Sequence, residues 1–175
     1  KSKLAQNQRS IFIIFRKLLN SLLLPSDMDF IISSFMPFAN IAWWAAVLDS
    51  SHILFDAAEH FEKMTYRNRY NISGANGMIQ LSIPLVKGRN QRTVMRDVRI
   101  SNKDRWQTQH WRTLMSVYKR TPYFDYYDPS LQQLFDREFV HLIEFSRASF
   151  QWVKEQIKLK LAEQVTEQYV SDYGD

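Results

Sequence analysis

Two stretches of alternating residues flank a small-residue joint near the middle of the chain. In the first, Tyr66, Asn68, Tyr70 and Ile72 point one way while Arg67, Arg69 and Asn71 point the other. In the second, Ile79, Leu81, Ile83 and Leu85 alternate with Gln80, Ser82 and Pro84. A period of two marks a half-buried strand. The joint, Gly74-Ala75-Asn76-Gly77, supplies residues that tolerate positive φ, so the pattern predicts an antiparallel hairpin over residues 66–84. Upstream, the apolar run Phe30–Phe35 ends at Pro37, the breaker-free run Ile41–Leu48 reads as a buried helix, and Ser51–Ala57 reads as a second buried strand. Strand, short helix, strand predicts a right-handed crossover and parallel pairing. Ligands of such sheets sit beyond the carboxyl ends of the strands. That puts residues 33–40 and 56–63 at a candidate mouth, with Asp56, Glu59 and Glu62 as its acids.

Downstream of the hairpin, Lys87–Arg92 reads as a cationic loop and Val94–Ser101 as a further strand. Asp104 opens a helix on which Trp111, Leu114, Met115 and Tyr118 share a face. It ends near Thr121-Pro122, Tyr123–Tyr127 forms an aromatic connector, and Asp128-Pro129 starts a short helix through Phe135. Phe139 to about Leu161 is a long helix with Phe139, Leu142, Ile143, Phe150, Val153, Ile157 and Leu161 inward, and the tail from Ala162 is polar and acidic. The amino-terminal apolar runs are too short and too interrupted by Arg16-Lys17 for a membrane span, and no signal-cleavage site follows them. They predict an amphipathic helix, resting either on the chain's own core or, through residues 9–24, on a membrane surface. The expected fold is α/β. A small mixed sheet with a parallel β-α-β start and an antiparallel hairpin is followed by a helical carboxyl-terminal half. Residues 1–27 form an amino-terminal extension and residues 28–175 the domain.

Composition narrows the chemistry. The 175 residues include no cysteine, which removes thiolate metal sites, cysteine nucleophiles and disulfide frameworks. The net charge of +5 is unevenly spread: residues 1–62 carry −1, residues 63–120 carry +11 and residues 121–175 carry −5. The middle third is therefore a positive field suited to an acidic ligand. On a regular strand Arg67 and Arg69 would share a face roughly 7 Å apart, a spacing for gripping one phosphate or carboxylate. They could equally be two solvated arginines that keep a sheet face soluble. The four histidines show no ligand spacing, so no metal is expected. His110, on a helix in the basic third, is either an acid–base group or a helix-boundary residue. Aromatics interleave with cations at Arg69-Tyr70, Arg105-Trp106 and Trp111-Arg112, a pattern that stacks bases in some nucleic-acid binders but here reads more simply as a core face with cations outside. No Walker A loop, G-x-G-x-x-G or G-x-S-x-G sequence occurs, so no cofactor is expected.

Five segments in order, ISSFMP (32–37), YRNRYNISGANGMIQLSIPLVKG (66–88), DVRIS (97–101), WQTQHWRTL (106–114) and TPYFDYY (121–127), make the chain from Phe30 to Leu161 resemble the WbqC-like protein family, in particular its Bacteroidetes-type members. The resemblance implies a bacterial, cytoplasmic protein of surface-polysaccharide (O-antigen-type) biosynthesis. The activity it implies is transfer of a glycyl or other small acyl group onto an amino sugar or sugar nucleotide. On the matched positions it implies that Lys63, Arg67, Asn68, Arg69, Lys87 and Arg112 bind an anionic substrate, a sugar phosphate or nucleotide sugar, and that His110 is the acid or base. Relatives carry a Gln-Pro-x-Tyr-Phe-Pro type loop where this chain has Phe35-Met36-Pro37-Phe38-Ala39-Asn40, which implies a different substrate. They also start later and run further, which implies an additional amino-terminal and a missing carboxyl-terminal segment here. A second reading is a non-catalytic module holding a polyanion or a protein partner on the same basic face. A nucleotidyltransferase-like core ranks last, because no His-x-Gly-His lies between Ser33 and Ile41. Nucleic acid is not the expected partner, and the sequence carries no signal for an oligomeric state.

Overall fold

The computed structural model of the chain describes residues 30–86 and 93–166. Strand β1 (Phe30–Ser34) leads through a loop into helix α1 (Ile41–Val47), whose first turn is capped by the Asn40 side chain accepting from Trp43 N at 2.9 Å. Strand β2 (His52–Asp56) pairs parallel with β1, Phe30 opposite His52 and Ser34 opposite Asp56. Hairpin β3 (Arg69–Gly74) and β4 (Gly77–Ser82) follows, with Gly77 at φ +118 closing the turn. Helices α2 (Trp106–Tyr118), α3 (Phe124–Asp136) and α4 (Leu142–Gln156) fill the carboxyl-terminal half, and β5 (Ala162–Thr166) returns to pair parallel with β2. The parallel sheet runs β1-β2-β5, and the hairpin stands as a two-stranded sheet of its own. The α/β class, the parallel β-α-β start, the hairpin and the helical second half are all as the residue patterns predict.

The core sits between β2 and α4. Along α4, Leu142, Phe145, Ser146, Ser149 and Phe150 are buried at helical spacing and define one face. Phe150 stacks on Trp44 (5.2 Å between centroids, 6° between planes) and meets Phe55 edge-on, while Phe35 stacks on Phe55 at 4.8 Å. The two buried serines bond within the helix, Ser146 Oγ to Leu142 O and Ser149 Oγ to Ser146 O, and Ser149 also accepts from Phe38 N at 3.2 Å. That bond anchors the β1–α1 loop where Phe38 takes a left-handed φ of 42°.

Five local expectations change. The first hairpin strand begins at Arg69, not Tyr66, because residues 61–68 form a looped segment with Met64 at φ 62. Val94–Ser101 is not a strand: Met95–Asp97 forms a short 3-10 turn flanked by single bridges, and its buried residues Met95, Val98 and Ile100 do not keep a period of two. The aromatic connector is the start of α3, which runs through Pro129 from a left-handed Tyr123. The long helix is shorter than expected, with Phe139 and Leu161 buried on its flanks and Ile157 exposed. The polar stretch after Ala162 contains β5, an edge strand held by backbone pairing and largely exposed, so no apolar alternation announces it. The amino-terminal extension (1–27), the Lys87–Arg92 loop and the last nine residues lie outside the described residues.

Candidate functional site at the carboxyl edge of the parallel sheet

Parallel pairing brings the carboxyl ends of three strands to one level, with Ser34 beside Asp56 and Asp56 beside Thr166. Asp56 is buried, and its Oδ1 accepts from Ala58 N (2.8 Å), Glu59 N (3.0 Å) and Thr166 Oγ1 (3.0 Å). The carboxylate thereby turns the chain sharply after β2 and ties that turn to β5. The turn presents Glu59 back toward β1, where Ser34 Oγ donates to Glu59 Oε2 at 3.0 Å.

Arg67 closes the arrangement from the loop before the hairpin. Its Nε and Nη2 donate to the two oxygens of Glu59 at 3.1 and 2.5 Å, Nη2 also reaches Ser34 Oγ at 3.3 Å, and Nη1 reaches Glu62 at 3.2 Å. Arg67 and Glu59 side chains are each only 15% exposed whereas Glu62 is 68% exposed, so the inner pair is a two-pronged, half-buried ion pair and the outer contact is solvated. Burial raises the Glu59 carboxyl above its usual range, with Arg67 and the Ser34 hydroxyl pulling the other way. Burial also opposes the charge on Arg67, but its contacts with Glu59 and Glu62 outweigh it and keep the guanidinium charged.

The remaining sequence candidates fall in different places. Lys63 is half-buried in the same 61–68 segment. Arg69 begins β3, its Nη2 beside Met64 Sδ at 3.5 Å and its buried Nε without a partner among the described residues. Because Arg67 precedes the strand, the two arginines do not share a pleated face. Asn68 serves the hairpin, donating from Nδ2 to Ile83 O at 3.0 Å while its own carbonyl accepts from Ile83 N. His110 is buried, 5% exposed, with Nδ1 hydrogen-bonded to the Tyr70 hydroxyl at 2.9 Å and its ring edge-on to Trp106. Burial lowers its pKa to about 4, partly offset by a bond with the Ser82 backbone, and burial raises that of Tyr70. Arg112, two residues on, is exposed on α2. Lys87 lies outside the described residues. Among the described residues the edge therefore sets Arg67 against Glu59 and Glu62, with Asp56 beside them, and is not an uncompensated positive hollow.

Ser34 belongs to the stretch the sequence puts at the mouth, and a hydroxyl at the end of the first strand of a parallel unit is the signal that singles it out there. Among the described residues no group of three or more His, Asp or Glu is placed to hold a metal, and no helix is long and apolar enough to cross a membrane. No curated protein and no solved structure matches the chain. The WbqC-like family model matches residues 33–173, from the end of β1 past β5 and across the whole carboxyl edge, so the chain belongs to the WbqC-like protein family.

Proposed function

We propose that the protein is a small-group transferase of bacterial surface-polysaccharide biosynthesis, moving a glycyl or other small acyl group from an activated donor onto an amino sugar or sugar nucleotide at the carboxyl edge of the sheet. The observation that carries this reading is the Glu59 carboxylate, half-buried between Arg67 and Ser34, with its basicity raised by burial. In the reaction the sugar nitrogen attacks the acyl carbon. A nitrogen–carbon bond forms, the bond from that carbon to the donor's leaving group breaks, and the nitrogen's proton passes to Glu59. Arg67 holds Glu59 in orientation, and Lys63 and Arg69 meet the substrate's phosphate or carboxylate. His110, neutral and bonded to Tyr70, acts in this scheme by holding α2 against the hairpin.

Isothermal titration with a uridine-diphosphate amino sugar tests the substrate class. Saturable binding is expected, weakened at least tenfold in Lys63→Ala/Arg69→Ala, and a flat titration overturns it. Glu59→Gln is expected to lower transfer by about 10²–10⁴-fold, the usual contribution of a positioned base, with retained binding. A second reading, a polyanion-binding module, is favoured by the exposed Arg99, Lys103, Arg105 and Arg112. Under that reading affinity falls steeply with salt and does not distinguish one polyanion from another.

A further inference from the structure

A cleft of about 350 Å³ opens where the hairpin meets α2, α3 and α4, lined chiefly by Phe38, Ile72, Tyr118, Phe124, Tyr127 and Trp152. Its volume lies at the small end of the roughly 300–1,000 Å³ typical of ligand pockets. The polar groups around it are mostly engaged. The Tyr70 hydroxyl bonds His110, the Tyr118 hydroxyl accepts from Ser73 N at 3.0 Å, and Thr121 Oγ1 donates to Tyr118 O at 2.7 Å. Asn71, on the wall between Tyr70 and Ile72, has an Oδ1 without a partner among the described residues, but that oxygen is buried and offers the open space no acceptor. A sugar or other polyhydroxyl ligand placed here would surrender its hydration and find almost nothing in return.

The walls favour a ring over a chain. Tyr118 and Phe124 lie nearly parallel (23° between planes), while Tyr127 and Phe38 each meet Trp152 edge-on at 69° and 72°. A flat aromatic guest would extend this array of rings, because offset-stacked and edge-on aromatic pairs gain beyond the area they bury. Beside the wall, Tyr126, 74% exposed, meets Tyr127 edge-on at 5.1 Å, and Tyr123, 81% exposed, precedes Phe124 at the start of α3. Large aromatics left in water next to an apolar hollow mark a contact surface. We propose that this cleft binds a small molecule through a flat aromatic ring. The proposal does not depend on the reading of the carboxyl edge.

Titration of the full chain with toluene, methylcyclohexane and glucose, followed by NMR, tests it. The Trp152 indole N–H, held by Ser130 Oγ at 3.0 Å, provides a defined resonance in the wall. Toluene should shift that resonance saturably, methylcyclohexane should bind at least threefold more weakly, and glucose should leave it unmoved. Thr121→Trp, which fills the exposed rim, should weaken toluene at least tenfold. Tyr127→Leu, which removes a ring but keeps an apolar side chain, should erase most of the preference for toluene over methylcyclohexane. Toluene shifts that fail to saturate, survive the Thr121→Trp plug, or are matched by glucose overturn the proposal, as does an unchanged ring preference in Tyr127→Leu.

Discussion

Buried between α2 and the hairpin, His110 should make the stability of this protein fall in mild acid. In the unfolded chain its imidazole takes up a proton below its ordinary value of 6.5, whereas in the folded chain burial keeps it neutral down to about 4. Between those two values only the unfolded state gains the proton, so stability drops as pH falls. The slope is about 1.4 kcal/mol per pH unit and the total about 3 kcal/mol. Above 6.5 and below about 4 the contribution of this group is flat. The groups facing the ring, Tyr70, Trp106 and the Ser82 backbone, carry no charge in that window, so they do not mask it. His110→Asn replaces the imidazole with a short amide that does not titrate. Its cavity costs stability at every pH without altering the slope. Urea denaturation of both proteins at half-unit steps from pH 7 to 4, subtracted one from the other, isolates the term from Glu59 and Glu144, whose shifts have opposite signs. Parallel curves for the two proteins, or a folded-state imidazole that titrates near 6.5 by NMR, would falsify the argument.

Three further outcomes follow from the packing. Arg67→Met leaves the Glu59 carboxylate half-buried and unpaired, and should cost about 3 kcal/mol in urea denaturation. The double variant Arg67→Met/Glu59→Gln should recover much of that loss, and no recovery would show that charge is not the cause. Gly77→Ala meets no neighbouring atom within 4 Å but must hold φ +118, so its cost of about 1–3 kcal/mol should come from backbone strain alone. Thermal denaturation of Gly77→Asn, a residue that tolerates positive φ better, should show a smaller loss than Gly77→Ala. Ser149→Ala strips the partner from the partly buried Phe38 N and should destabilise by about 1–2 kcal/mol, read by calorimetry.

Those same residues show how much of the molecule was legible in its sequence. The parallel start and the hairpin were readable because a sheet buried on one or both faces writes its period into the apolar residues, as in HILF of β2 and MIQLS of β4. The β5 strand was not, because it lies at a sheet edge with side chains largely in water, and backbone bonds to β2 leave no mark on residue type. The inward face of α2 lies about a quarter of a turn from the one its apolar spacing predicts. Trp106, His110 and Leu114 point inward while Trp111 and Tyr118 sit at the boundary. An inward histidine reads as polar until its partner is known, and that partner, Tyr70, lies 40 residues away. The charge surplus of residues 63–120 was real in the sequence, yet at the carboxyl edge Glu59 and Glu62 from the preceding segment offset it. Only the fold could place those acids against Arg67.

The bond between Thr166 and Asp56 spans 110 residues, and it is made by the strand that pairs with the second flank of β2. During synthesis, then, β2 emerges with one flank matched by β1 and the other bare until β5, 110 residues after Asp56, has left the ribosome. Over that interval the chain carries an unprotected ladder of amides along HILFD, open to pairing with a neighbouring nascent chain. A deletion removing Ala162–Thr166 would leave that flank of β2 permanently exposed.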